Sequence, residues 1–328
     1  MKILVIFTGG TIGSSENEQW ISLDGSTKYT LIRNYRKENG NAIKFDVLSP
    51  YTILSENLSA KELTTLCSLV SQKVKEGYDG IIVTHGTDTV QYTASALAYT
   101  VDCNDIPVVL VSANLPLENE KTNGNVNFKS AVDFIASKKA GGVFVAYCNQ
   151  LGEGTDVHYA TRILSHAESM DQLFSLDGQP FATVRDGEVV LNDKCILAVN
   201  IEREKSVQFV ESPKVLVVTT YPGDEFNYNL EDYNAVLIKP YHSGTLNTEN
   251  QKLSVFCEKA KNLGIPVFLP NVSNGTAYES SKLYEKLSLT VLPYSTVPAI
   301  YTKIWLAVSL KKQVKDFVLK QISAEFIQ

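Results

Sequence analysis

No apolar run in this chain approaches the length of roughly 20 residues that a helix needs to span a bilayer, so no segment reads as membrane-embedded and no membrane partner is expected. The apolar run after Met1-Lys2 is short and meets a Gly-Gly turn with no small-residue cleavage site, which makes it a first strand and not a signal peptide. Cysteine is scarce. Cys67, Cys103, Cys148, Cys195 and Cys257 are odd in number and widely scattered, without the paired spacing of a zinc site or a redox motif, so a reduced cytoplasm is the expected compartment. The four histidines, His85, His158, His166 and His242, show no metal-ligand spacing, and no metal is expected. Basic charge is not in excess either: 30 Lys and Arg against 36 Asp and Glu leave a net charge of −6, with no basic stripe, which argues against nucleic acid as a partner. Internal repeats and low-complexity segments are absent. Gly9-Gly10-x-x-Gly13 lacks the order of a dinucleotide fingerprint, and no acidic ribose-binding position stands about 20 residues on, so no organic cofactor is expected.

What is present is a chain of 328 residues, 44% of them hydrophobic, enough for sizeable cores and for two domains. Lys2–Phe7 and Gly80–Thr84 are continuous apolar runs, as buried parallel strands require. Residues 14–41 are polar and read as an irregular, mobile flap. A strand is expected over Ile43–Leu48. Ser59-Ala60-Lys61-Glu62 reads as a capping box, followed by Leu63, Leu66, Val70 and Val74 at helical spacing until Gly77. Helices over about Val90–Tyr99 and Val126–Ser137 then alternate with strands over Val108–Val111 and Val143–Tyr147. The pattern lapses around 192–213 and restarts at Lys214–Thr220, followed by strands at Ala235–Ile238 and Val267–Leu269 and helices over about Thr248–Leu263, Pro298–Leu310 and Gln313–Phe326. The expected fold is α/β: a large N-terminal doubly wound, mostly parallel sheet domain (1–191), a linker (192–213) and a smaller C-terminal α/β domain (214–328).

The chemistry-bearing residues sit just after the two apolar strands. Thr8-Gly9-Gly10-Thr11-Ile12-Gly13 places hydroxyls on a glycine turn at a strand's carboxyl end, the usual place for chemistry in open α/β sheets. His85-Gly86-Thr87-Asp88-Thr89 repeats the design before the Val90 helix, whose N-terminus favours an anion or a developing oxyanion. A plain reading would make Thr11 a turn residue and Asp88 a helix N-cap. The two turns together, in this order, resemble the signatures of the bacterial-type L-asparaginase family, most closely its cytoplasmic type I members. Ser55-Glu56-Asn57, Ala113-Asn114-Leu115-Pro116 and Asn123-Gly124-Asn125-Val126-Asn127 look like further landmarks, although the last usually begins with aspartate.

The resemblance implies hydrolysis of L-asparagine to L-aspartate and ammonia, with Thr11 as the nucleophile of an acyl-enzyme mechanism. It places Thr87 across the reacting carbonyl, assigns Asp88 to the substrate's α-amine and links it to a lysine. Ser55, Glu56, Gly10, Gly86 and Ala113 would line the substrate site, and a flap tyrosine would assist Thr11. Tyr29 is the first candidate for that tyrosine, and Trp20 occupies nearly the spacing of the cytoplasmic type. The resemblance also implies a homodimer or homotetramer whose neighbouring subunits complete the site, with a small amino-acid amide as its only partner.

One departure matters. No lysine occurs between Lys139 and Lys194, and counting back from Asp171 puts Leu164 at the family's lysine position, two residues from Arg162. Arg162 could supply charge beside Asp88, but with a pKa above about 12 it cannot act as a base. A surface salt bridge is the plain reading of Arg162. Two other activities stay open: a glutaminase-like hydrolase of small amides, and a catalytically weak amino-acid binding or regulatory protein. The amidotransferase subunit of transfer-RNA-dependent amidation shares the signatures but carries an additional N-terminal domain, so the free-standing type is expected.

Overall fold

Four strands buried almost along their whole length build the main sheet, because their apolar side chains alternate to both faces and each face is covered by helices. The structure, a computed structural model, describes residues 1–10, 12, 14–16, 21–23, 27–166, 170–195, 207–272 and 278–327. Its chain divides into two compact units, Met1–Val207 and Gln208–Gln328.

The first unit comprises β1 (Lys2–Phe7), β2 (Ser14–Glu16), β3 (Ile21–Leu23), α1 (Thr27–Asn39), β4 (Lys44–Leu48), α2 (Ala60–Lys73), β5 (Gly80–Thr84), α3 (Val90–Thr100), β6 (Pro107–Val111), α4 (Gly124–Ser137), β7 (Gly142–Tyr147), β8 (Thr155–Tyr159), β9 (Ala182–Arg185) and β10 (Glu188–Leu191). Eight of the strands form one sheet in the order β10-β9-β8-β7-β6-β5-β1-β4. The pairs from β4 to β7 are parallel, and β8, β9 and β10 add an antiparallel edge. The mostly parallel α/β fold read from the sequence is the observed one. After β1 the chain goes to one side to make β4 and returns on the other to make β5. This reversal opens a crevice at the carboxyl ends of β1 and β5, where open α/β sheets bind ligands.

One expectation is corrected in this unit, and one set of strands was not foreseen. The stretch 14–41 is not irregular throughout: β2 pairs with β3 as an antiparallel ribbon, and α1 buries Leu31 and Ile32 in the sheet core with Tyr35 packed beside them. Three apolar residues in a polar helix leave too narrow a stripe to stand out in sequence, and the core makes up the difference. The β8–β10 edge was also unforeseen. Thr155-Asp-Val-His-Tyr159 is polar at Thr155, Asp156 and His158 and extends by pairing with β7, a tertiary cause.

The second unit has a four-stranded parallel sheet ordered β11 (Val215–Thr219), β12 (Ala235–Lys239), β13 (Val267–Leu269) and β14 (Leu289–Val291). Helix α5 (Gln251–Asn262) buries Leu253, Phe256 and Ala260 in one core, and α6 (Val297–Ser309) buries Ile300 and Ile304 in another. The expected last helix, Gln313–Phe326, shortens to α7 (Val314–Leu319). Its continuation is diverted by Glu325, whose carboxylate accepts the backbone N–H groups of Ile322 (2.8 Å) and Ser323 (2.7 Å) and pairs with Lys303 on α6 at 2.6 Å, both side chains being 0% exposed. All five cysteines are buried free thiols.

Candidate functional site

The ends of β1 and β5 are drawn together by their own threonines. The Thr8 hydroxyl donates to the Thr84 carbonyl at 2.5 Å, and Phe7 faces Thr84 in the parallel register. Beyond them the two glycine turns approach until no side chain fits between. Gly10 has φ +80°, and a Cβ on it would stand 2.5 Å from Gly86 Cα. A Cβ on Gly86 would stand 2.6 Å from Ser55 Cβ. Glycine at both positions is thus a steric requirement of the turn-on-turn contact. Gly9 and Gly10 also pair with the chain at Ile53: Gly10 N–H donates to Ile53 O at 3.1 Å and Ile53 N–H to Thr8 O at 3.0 Å, which brings Ser55 under the site.

Ser55 is buried at the start of a short 3₁₀ turn, and its hydroxyl donates to Asp88 Oδ2 at 3.3 Å. Its carbonyl accepts from Thr89 Oγ1 at 2.8 Å. Asp88 is exposed and Thr87 half-buried. The N-cap of α3 is Thr89, so the plain capping role for Asp88 is replaced by the Ser55 contact. His85 braces the turn from below. Burial lowers its pKa, and the neutral ring donates from Nδ1 to the Gly86 carbonyl at 2.8 Å while Nε2 accepts from Thr93 Oγ1 at 2.8 Å.

Gly10, Ser55, Gly86, Thr87 and Asp88 are therefore brought together. Ala113 is buried just beyond β6, where the methyl group leaves room for Gly124: a Cβ on that glycine would stand 2.9 Å from Ala113 Cβ. Asn123 and Asn114 clasp each other, each backbone N–H donating to the other's side-chain Oδ1, at 2.9 and 3.0 Å. Asn123 Nδ2 then donates to Cys148 O at 2.9 Å, a bond an aspartate could not make, which accounts for the amide at this position. Thr11 and Trp20 lie outside the described residues.

Other expected members are elsewhere. Glu56 is exposed on the 3₁₀ turn. Tyr29 stands in the first turn of α1, 67% exposed, and no contact joins it to Gly10, Ser55 or Asp88 among the described residues. Its helix turns the ring outward, so the expectation that it assists the nucleophile is not supported by this arrangement. Arg162 is not a surface residue: it is 4% exposed, with its guanidinium 5.5 Å over the Tyr159 ring and its charge acting on the buried Cys195 thiol. No ion pair joins it to Asp88 among the described residues.

A further side chain at the end of β7 was passed over by sequence reasoning. His166 sits edge-on to the Tyr147 ring at 5.9 Å, at the carboxyl end of β7, and feels the charges of Asp88 and Asp171. The signal available in the sequence was its place between Arg162 and Asp171, two residues beyond the counted lysine position. Among the described residues no cluster of three or more His, Cys, Asp or Glu side chains could hold a metal ion, and no helix is long and apolar enough to cross a membrane.

The order of the parallel strands and the meeting of two glycine turns at their reversal define an open α/β sheet with a strand-end site. Residues 2–197 match the family described as Asparaginase, N-terminal, and the chain belongs to the asparaginase family. It is 32% identical over 196 residues to an L-asparaginase of Thermococcus kodakarensis, a match covering 59% of this chain and 57% of that protein. It is 27% identical over 231 residues to a component of the glutamyl-tRNA(Gln) amidotransferase of Methanosphaera stadtmanae, covering 68% of this chain and 51% of that one. The matches thus span little more than half the length of these relatives. Among solved structures, L-asparaginase I of Vibrio cholerae superposes with a TM-score of 0.82 at 20% identity, over 100% of this chain and 99% of that one, a likeness of fold.

Proposed function

We propose that this protein hydrolyses the side-chain amide of a small amino acid, L-asparagine first, to the corresponding acid and ammonia. The convergence of Gly10, Gly86 and Ser55 at the reversal of the sheet carries this reading, because it joins the turn after β1 and the Thr87–Asp88 turn in one strand-end site. In it the Thr11 hydroxyl attacks the amide carbon, the C–N bond breaks, ammonia leaves with the hydroxyl proton, and water hydrolyses the resulting ester. Thr87 lies across the carbonyl, Asp88 takes the α-ammonium group, and Ser55 holds the Asp88 carboxylate while its neighbours receive the α-carboxylate. Family membership and the Thermococcus kodakarensis relative support amide hydrolysis. The amidotransferase relatives favour glutamine as the second substrate to try. We also propose a cytoplasmic homodimer or homotetramer.

The test is ammonia release from L-asparagine and L-glutamine by the full chain beside Thr11→Ala. Turnover of L-asparagine that falls at least about 10³-fold in the variant is expected. Equal release by both proteins would remove Thr11 from the mechanism, and binding of L-aspartate without any release would leave an amino-acid binding protein.

A further inference from the structure

The second unit contains a cavity of about 560 Å³ whose lining residues all belong to that unit, so it takes no part in the strand-end site of the first. It lies across the amino ends of three parallel strands, since Asn234, Pro266 and Ser288 stand just before β12, β13 and β14. Cys257 and Lys261 of α5 wall it on one face of the sheet, and the residues from Lys312 to Asp316, where α7 begins, wall it on the other. The volume is in the range of small-molecule pockets, roughly 300–1,000 Å³. Gly264, at φ +70°, has nothing within 4 Å of where a Cβ would stand, so the cavity is open on that side.

Its lining is cationic. Lys261, Lys312 and Lys315 stand around it, and Asp316 is the only carboxylate among the described lining residues. The ion pairs of this unit use Lys214, Lys252, Lys282 and Lys303, and none among the described residues holds Lys261 or Lys315. Acidic residues outnumber basic ones over 1–207 but nearly balance them over 208–328, so the net negative charge of the chain does not oppose an anion here. A second observation comes from the interior of the cavity. Thr290 of β14 is 8% exposed, and its hydroxyl makes no hydrogen bond among the described residues. Buried hydroxyls in folded proteins are nearly always paired, so an open one on a cavity wall marks a place for a ligand's polar atom. The Cys257 thiol beside it adds no negative charge, because burial pushes its pKa up to about 12.

We propose that this cavity binds a small phosphate ester, with the phosphate group among Lys261, Lys312 and Lys315 and the body of the ester against Ile265, Val267 and Val314, within reach of the Thr290 hydroxyl. Three ammonium groups against one carboxylate leave two positive charges over, which matches a phosphate monoester at neutral pH, about −1.5 to −2, better than a single carboxylate. Lysine suits this ligand because it acts as a mobile point charge and does not demand the planar, two-oxygen geometry that arginine selects. The apolar side chains add a surface that a free anion has no use for, and so favour an ester over phosphate alone. The proposal is independent of amide hydrolysis at the strand-end site.

The test is calorimetric titration of the full chain with adenosine monophosphate, beside adenosine and inorganic phosphate. Adenosine monophosphate is expected to bind with a Kd below about 1 mM at low salt, and adenosine at least about tenfold more weakly. Affinity should fall as salt is added, since the lysines are exposed. The double variant Lys261→Gln, Lys315→Gln should weaken binding of adenosine monophosphate at least about tenfold, and Thr290→Val about three- to tenfold for one lost hydrogen bond. Urea midpoints of both variants should match wild type, because the two lysines hold no ion pair and the Thr290 hydroxyl holds no hydrogen bond among the described residues. Absence of binding up to about 10 mM overturns the proposal, and so does equal affinity in wild type and the double variant. Adenosine binding as tightly as its monophosphate overturns it as well, because the lysines would then play no part. Inorganic phosphate binding as tightly as adenosine monophosphate overturns the assignment of an ester.

Discussion

At the scale of single residues the site is made by what is missing from side chains as much as by what is present. Gly10 and Gly86 meet backbone to backbone, and Ser55 fits beneath because Gly86 has no Cβ. The asparagine at 123 shows how one atom changes a landmark. Its Oδ1 accepts from Asn114 N–H, as a carboxylate would, but its Nδ2 donates to Cys148 O and ties the loop to the end of β7. Asn123→Asp is therefore expected to destabilise the fold by about 1–3 kcal/mol, since it replaces a buried donor by an acceptor facing a carbonyl. Urea denaturation of the two proteins measures it, and a midpoint unchanged by the substitution would mean that the Cys148 bond contributes nothing.

At the scale of elements, caps and pairing decide where helices and strands begin. Ser59 caps α2 by accepting from Lys61 N–H at 3.3 Å, and its hydroxyl donates to the Glu62 carboxylate, so serine and glutamate meet through a side-chain contact and not through the reciprocal backbone bonds of a capping box. Ser59→Ala should cost about 1 kcal/mol. The effect should appear as a lower urea midpoint with the slope unchanged. A loss restricted to activity would place Ser59 in the site instead. Helices α2, α3, α4 and α5 were readable because leucines, valines and alanines recur at helical spacing over long stretches. Helix α1 and the antiparallel edge β8–β10 were not, because the first shows a narrow apolar stripe and the second takes its conformation from β7.

At the scale of the whole molecule, buried histidine couples stability to pH. Burial, with His166 nearby, pushes the pKa of His158 down from 6.5 to about 3. Between those values the unfolded chain binds a proton that the folded chain does not, so this contribution to stability is complete above about pH 6.5 and is lost as pH falls toward 3. The loss amounts to several kcal/mol across the window, at about 1.4 kcal/mol per pH unit. Equilibrium unfolding from pH 7 to 4 should show it, and His158→Gln should have a shallower acid slope. Parallel slopes would assign the acid sensitivity to other groups.

Sequence by itself determined the alternation of strands and helices, the two glycine turns, and the absence of a basic surface, because these depend on local periodicity and residue type. It also exposed the missing lysine. It could not say what stands in that place, and counting along the chain pointed to Arg162. Tertiary structure decided where these side chains lie: Arg162 is buried with its guanidinium over the Tyr159 ring, Tyr29 is exposed on α1, and the His166 ring lies edge-on to Tyr147. The physical reason is that a side chain's neighbours across a sheet are set by strand order and packing, and residues such as Val145 and His158 face each other only when β7 and β8 lie side by side.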